Sequence, residues 1–117
     1  MTGFNLPFVI LGLVLIVLSL PLILRRVPPN PLYGLRVSAT FKDEQVWYDA
    51  NAASGRDMLV LGIAVELLGV VLSVLGVRDF AYAIAWTATV ALGLVVVTAL
   101  GWTRANRMFR ERQTRAR

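Results

Sequence analysis

Glu66 is the one ionisable residue well inside an apolar stretch of this chain, and the residues around it are patterned. Gly62, Glu66, Gly69, Ser73 and Gly76 follow steps of four, three, four and three, which places all five on one face of a helix. A charged carboxylate at mid-bilayer costs about 3 kcal/mol or more unless it is neutralised or paired, so such a group marks a functional site by default. Two roles compete. Glu66 is either a protonated hydrogen-bond donor across a helix interface or the centre of a proton-linked or cation-binding site. Small residues at this spacing let a second helix approach closely. The expected partner is the third apolar helix, whose Thr87, Thr89, Ala91 and Gly93 would surround Glu66 at mid-depth.

A second concentration of chemistry lies at residues 28–36, Pro-Pro-Asn-Pro-Leu-Tyr-Gly-Leu-Arg. Proline fixes φ and glycine opens unusual backbone angles, so this alternation specifies a shape and not a tether. Arg36 carries a permanent charge and a planar fork of donors, and needs a carboxylate, a phosphate or carbonyls. Asp43, Glu44 and Asp49 are its internal candidates. Tyr33 and Trp47 offer apolar faces with polar tips, and either can stack on Arg36. Asn30 and Asn51 suit side-chain bonds to turn backbone. Asn30, Tyr33, Gly34, Arg36, Thr40, Trp47 and Asn51 thus form either a stabilised loop or a pocket for a peptide or a lipid headgroup, and Glu66 completes the candidate set.

The chain has no cysteine and no histidine, which removes disulfides, thiol nucleophiles, Cys/His metal sites and imidazole chemistry together. One carboxylate and a few arginines define no reaction, so neither an enzyme nor a cofactor or metal site is expected.

The elements that must position these groups follow from composition. The chain is 57% hydrophobic over 117 residues, with its charges confined to a few places, which defines an all-α integral membrane protein of a single domain. Residues 6–24 carry no charge and can cross a hydrocarbon core of about 30 Å at about 1.5 Å per residue. Positive charge follows this run at Arg25 and Arg26 and does not precede it, the reverse of a secretory signal, so retention is expected. Pro7 falls in its first turn, and Pro21 should bend or end it. Second and third spans are expected at about 58–77 and 80–102, joined by a tight turn at Arg78 and Asp79. Tyr82 and Trp86 at one end of the third span and Trp102 at the other fit interfacial aromatic belts. Within the connection 25–57, Thr40-Phe41-Lys42-Asp43 matches a capping signature and no breaker follows until Gly55, which predicts a short helix from near Phe41 along the headgroup region.

Pro29-Asn30, Tyr33-Gly34-x-Arg36, Thr40, Trp47 and Asn51 leading into Gly55 resemble the SdpI family, bacterial membrane proteins whose founding member gives immunity to a secreted killing peptide and takes part in its signalling. The resemblance covers Arg25 through the start of the second span; the remainder matches as apolar helices. The founding type has additional spanning helices ahead of this unit, where one is found here. The resemblance implies immunity or signalling toward an antimicrobial peptide, bound in or at a bacterial cytoplasmic membrane. Two other classes remain open: an accessory or structural subunit that meets a membrane-protein partner or a second copy of itself through the Gly/Ser face, and a minimal transporter centred on Glu66.

Five Lys/Arg residues lie in the first connection, six in the tail 103–117 and one, Arg78, in the second connection. Positive residues are retained on the cytoplasmic side, which puts the N-terminus outside and both the first connection and the tail inside. The tail's arginines then serve as a topology anchor touching anionic lipid at about 1 kcal/mol each, and nucleic acid is not expected as a partner. A single cysteine introduced at Arg78 is expected to react with a membrane-impermeant maleimide added outside intact cells; labelling only after lysis reverses the topology.

Overall fold

The computed structural model describes residues 5–116, which form four helices: α1 (Leu6–Ile23), α2 (Ser38–Lys42), α3 (Glu44–Val74) and α4 (Asp79–Arg115). α1, α3 and α4 are each long and apolar enough to cross a membrane. The bundle measures 59 × 22 × 19 Å. Its long axis exceeds a hydrocarbon core of about 30 Å, so the longer helices must project from the bilayer.

α3 packs against α1 along one side and α4 along another. Missing side chains make the approach of α1 possible. A Cβ at Gly55 would lie 3.0 Å from the Ser19 carbonyl oxygen, and one at Gly62 would lie 2.7 Å from Ile16 Cγ1 and 3.4 Å from the Gly12 carbonyl oxygen. The small-residue face of α3 is therefore divided: Gly62 and Glu66 meet α1, whereas Gly69 lies against the Tyr82 hydroxyl of α4, so the third span expected from the spacing is met by only part of the face. Glu66 points at Gly12 of α1. On α4, Thr89 turns its hydroxyl back to the Ala85 carbonyl at 2.8 Å, and Gly93 receives Leu61.

Both turns out of the spanning helices close by the same bonding pattern. After α3, Gly76 N–H donates to Ser73 O at 3.1 Å and Val77 N–H to Leu72 O at 2.9 Å, with Gly76 at φ 79°. After α1, Arg25 N–H donates to Leu22 O at 3.2 Å and Arg26 N–H to Pro21 O at 3.0 Å. These paired bonds satisfy carbonyls that a helix end leaves open and require one left-handed residue. Glycine takes that conformation freely, whereas Arg25 takes it at φ 59° against its Cβ. Pro21 sits inside α1, which ends two residues later.

Three boundaries differ from the sequence reading. The short helix starts at Ser38, ahead of Phe41, and Asp43 closes it in an extended conformation. Asp43 instead caps α3, its Oδ1 accepting from Gln45 N at 2.9 Å and Val46 N at 3.3 Å. Nor does Gly55 break the chain, so the expected interfacial helix and second span are one helix of 31 residues. Glycine's poor propensity is overridden because its bare backbone is what lets α1 pack there. The basic tail likewise continues α4 to Arg115, since no proline or glycine interrupts it after Gly101.

Two apolar clusters hold the bundle. One joins Ala39 of α2, Val46 and Ala50 of α3 and Ala105 of α4, with Met108 and Phe109 packed against it. The other joins Val65, Tyr82 and Trp86, with Phe8 edge-on to both rings at 5.3 and 5.1 Å. Tyr82 and Trp86 are 1% and 4% exposed, so they pack inside the bundle and form no belt, while Trp102 is exposed. The first cluster, with Arg112–Asp43 at 2.6 Å and Arg104–Asp57 at 3.0 Å, fixes the first connection and the C-terminal part of α4 at the same end of the molecule.

Replacing Gly55 by leucine drives a side chain into the Ser19 carbonyl and Leu22. The thermal midpoint of the detergent-solubilised variant is expected to fall, by the equivalent of about 1–3 kcal/mol. An unchanged midpoint would disprove the close α1–α3 contact.

Candidate functional site

The loop 28–36 is folded by its own side chains. Asn30 Oδ1 accepts from Leu32 N at 2.9 Å and Tyr33 N at 2.7 Å, while its Nδ2 donates to Pro28 O at 2.8 Å and Tyr33 O at 3.1 Å. Arg36 Nη1 donates to Pro31 O, closing the turn from outside. One asparagine thus organises four backbone groups of a segment too rich in proline to bond to itself.

Asn51 and Trp47 of α3 dock that loop onto the bundle. Asn51 Oδ1 accepts from Leu35 N at 2.5 Å, and its Nδ2 donates to Trp47 O at 2.9 Å and to Leu35 O at 3.4 Å. Trp47 Nε1 donates to Val27 O at 2.8 Å. Both side chains are almost wholly buried. Gly34 passes directly over them at φ 107°, where a Cβ would stand 2.8 Å from Asn51 Oδ1. Glycine is required twice there, by the angle and by the close approach. Tyr33 O–H donates to Leu18 O of α1. Burial pushes the Tyr33 hydroxyl above the usual phenol range. Thr40 Oγ1 accepts from Val37 N at 3.0 Å and lies 3.0 and 2.8 Å from the Leu35 and Val37 carbonyls. Asn30, Tyr33, Gly34, Arg36, Thr40, Trp47 and Asn51 are therefore one connected unit.

Arg36 pairs with none of the acids proposed for it, nor does either aromatic residue stack on it. Asp49 is taken by Arg25 and by Gln45 Nε2 at 3.0 and 3.1 Å. Partial burial raises the Asp49 carboxyl, but the bonds from Arg25 and Gln45 outweigh it and hold the group below the usual range. Asp43 is held low chiefly by the Arg112 hydrogen bond. Trp47 packs instead on Phe41, ring centroids 5.5 Å apart, and the cation–π contact at this end is Lys42 over Phe109 at 5.7 Å. The arginine partners of Asp49 and Asp43 are 24 and 69 positions away, and residue type alone does not select among the chain's many arginines.

Beneath the loop lies a cleft of about 430 Å³. The loop roofs it from Tyr33 to Val37; Leu18 and Leu22 of α1, Ser54 and Met58 of α3, and Leu94, Val97 and Thr98 of α4 complete it. Its interior is apolar, Arg36 is exposed at its edge, and the buried Ser54 Oγ has no hydrogen-bond partner. Sequence reasoning did not single out Ser54 as a polar group in this wall. Glu66 does not belong to the cleft: twelve positions beyond Ser54 on α3, it lies about 18 Å deeper along the bundle.

Three membrane-length helices, with a loop folded onto their shared end by buried asparagine and tryptophan, define a small multi-pass helical membrane protein built around a structured connection. Residues 26–103 match the model of the SdpI/YfhL protein family, and the chain belongs to that family. The match takes in the loop, its docking residues, Glu66 and most of the α3–α4 hairpin, and leaves α1 outside. No curated protein and no solved structure matches the chain.

Asn51→Ala removes three bonds and strands the Leu35 amide in a half-buried position. Its unfolding free energy is expected to fall by about 1–3 kcal/mol, followed by thermal denaturation of the purified protein. Asn30→Ala, at a more solvated site, should cost less; equal losses would show that Asn51 is not the docking point.

Proposed function

We infer that this protein acts as an SdpI-like immunity or signalling protein of a bacterial cytoplasmic membrane, binding a secreted antimicrobial peptide in or at the bilayer. The observation that carries this reading is the cleft under the loop. The residues that resemble the family's motif are spent on folding its roof, and the space they enclose is apolar, membrane-level and edged by the cationic Arg36. At about 430 Å³ it lies within the range of a few hundred Å³ typical of ligand sites, enough for a few apolar side chains of a peptide with an acidic group or terminal carboxylate on Arg36.

Binding, without a catalysed reaction, accounts for such a role. The cleft end faces the cytoplasm by the distribution of positive charge, so a peptide must enter the bilayer before it is held.

Expression in peptide-sensitive bacteria is expected to raise survival for the wild type and to give less protection for Arg36→Ala at equal membrane abundance. A well-expressed wild type that gives no protection removes the immunity reading for that peptide.

A further inference from the structure

Glu66 has no counter-charge within the bundle. α1 carries no charged residue, α4 carries none between Asp79 and Arg104, and the nearest cation on its own helix is Arg56, ten positions away or about 15 Å. No donor among the described residues reaches its buried Oε1. The carboxyl is nonetheless accommodated: a Cβ on Gly12 would overlap Oε1 and stand 2.7 Å from Cδ, so the absence of a side chain on α1 makes its place.

Beside the carboxyl is a cavity of about 200 Å³, lined by Val65, Gly69, Tyr82 and Trp86, with Val70 and Val74 toward the outside. Val70 and Val74 are 56% and 79% exposed on the helix surface that faces lipid, so the opening is to the bilayer. Phe8, edge-on to both rings, holds Tyr82 and Trp86 in place. At the far end Asn5 Nδ2 donates to Ser73 Oγ at 3.2 Å.

Size and chemistry narrow the occupant. A cavity of about 150 Å³ admits benzene, whereas drug-sized ligands need about 300 Å³ or more, so this one takes the head of a molecule and leaves its tail in lipid. A neutral apolar head would leave the carboxyl unpartnered, and an anion would be repelled. Carboxylate and aromatic faces together suit an organic ammonium, which gains from both. We propose that the Glu66 cavity is an intramembrane binding site for the cationic head of a lipophilic amine, admitted from the bilayer past Val70 and Val74, with Glu66 as counter-ion and Tyr82 and Trp86 as walls. The site is separate from the cleft under the loop and stands whether or not that cleft binds a peptide.

Octyltrimethylammonium titrated calorimetrically into the protein in uncharged maltoside micelles tests this, with octanol as the neutral-headed control. The wild type is expected to bind the ammonium saturably, one to one, and octanol only by partition. Glu66→Gln should weaken binding by about tenfold or more, as expected for losing a charged partner. Val70→Trp, which fills the mouth from the lipid side without entering a helix contact, should weaken it as well and decides the matter if Glu66→Gln fails to fold. Equal binding of octanol, unchanged affinity in Glu66→Gln or Val70→Trp, or no saturable binding in a wild type whose Glu66 reacts with dicyclohexylcarbodiimide would overturn the proposal; the last would mean a carboxyl that exchanges only a proton.

Discussion

A chain that leaves one spanning helix and returns in another must satisfy every backbone group of the connection that is shielded from water. Here that obligation falls on a segment with three prolines, which has few amides and no regular ladder to offer. Asn30 and Asn51 resolve it by bonding the backbone of the loop, the first within the turn and the second from α3. Everything else at this end is arranged around that solution. α3 must run unbroken through Trp47 and Asn51 into the bilayer, Gly34 must cross above them, and Gly55 must let α1 approach the same helix one turn deeper.

The two polar features of the molecule are thereby separated. The motif spends its donors and acceptors internally and encloses an apolar cleft at the membrane boundary, whereas Glu66 is deep in the bundle with an oxygen left over. A loop residue with all its bonds made is chiefly an architectural part, and a buried group without one is a place where something else can bind. Arg36 stands between these cases, with one nitrogen on Pro31 O and the rest of its fork at the surface.

The sequence made the membrane class and the three spans plain, because charge-free apolar runs of sufficient length have few alternative explanations. The motif residues were visible as a set by their types and spacing. Their connections were not, since Trp47 to Val27 and Asn51 to Leu35 depend on how the loop folds back over α3. Helix limits failed where a local signal met tertiary packing: Gly55 has a breaker's propensity and a packing role, and the packing prevailed. The small-residue face meets both neighbours, where its spacing points to the third span alone. Spacing identifies which residues share a face of α3, but α1 and α4 both flank that helix, and the close approach of Gly12 to the Glu66 carboxyl and of Ile16 to Gly62 tells which neighbour this part of the face meets.

The cluster of Ala39, Val46, Ala50 and Ala105 unites the beginning of the structured connection with the final part of α4. Arg112 on Asp43 and Lys42 over Phe109 close it from outside. During synthesis this sets an order of assembly. α1, the loop and α3 emerge first, yet Ala39 and Val46 keep an uncovered apolar side until the stretch from Ala105 to Arg112 has left the ribosome. α4 is therefore the helix that seals the first connection, and it can do so only after α1, the loop and α3 have been made.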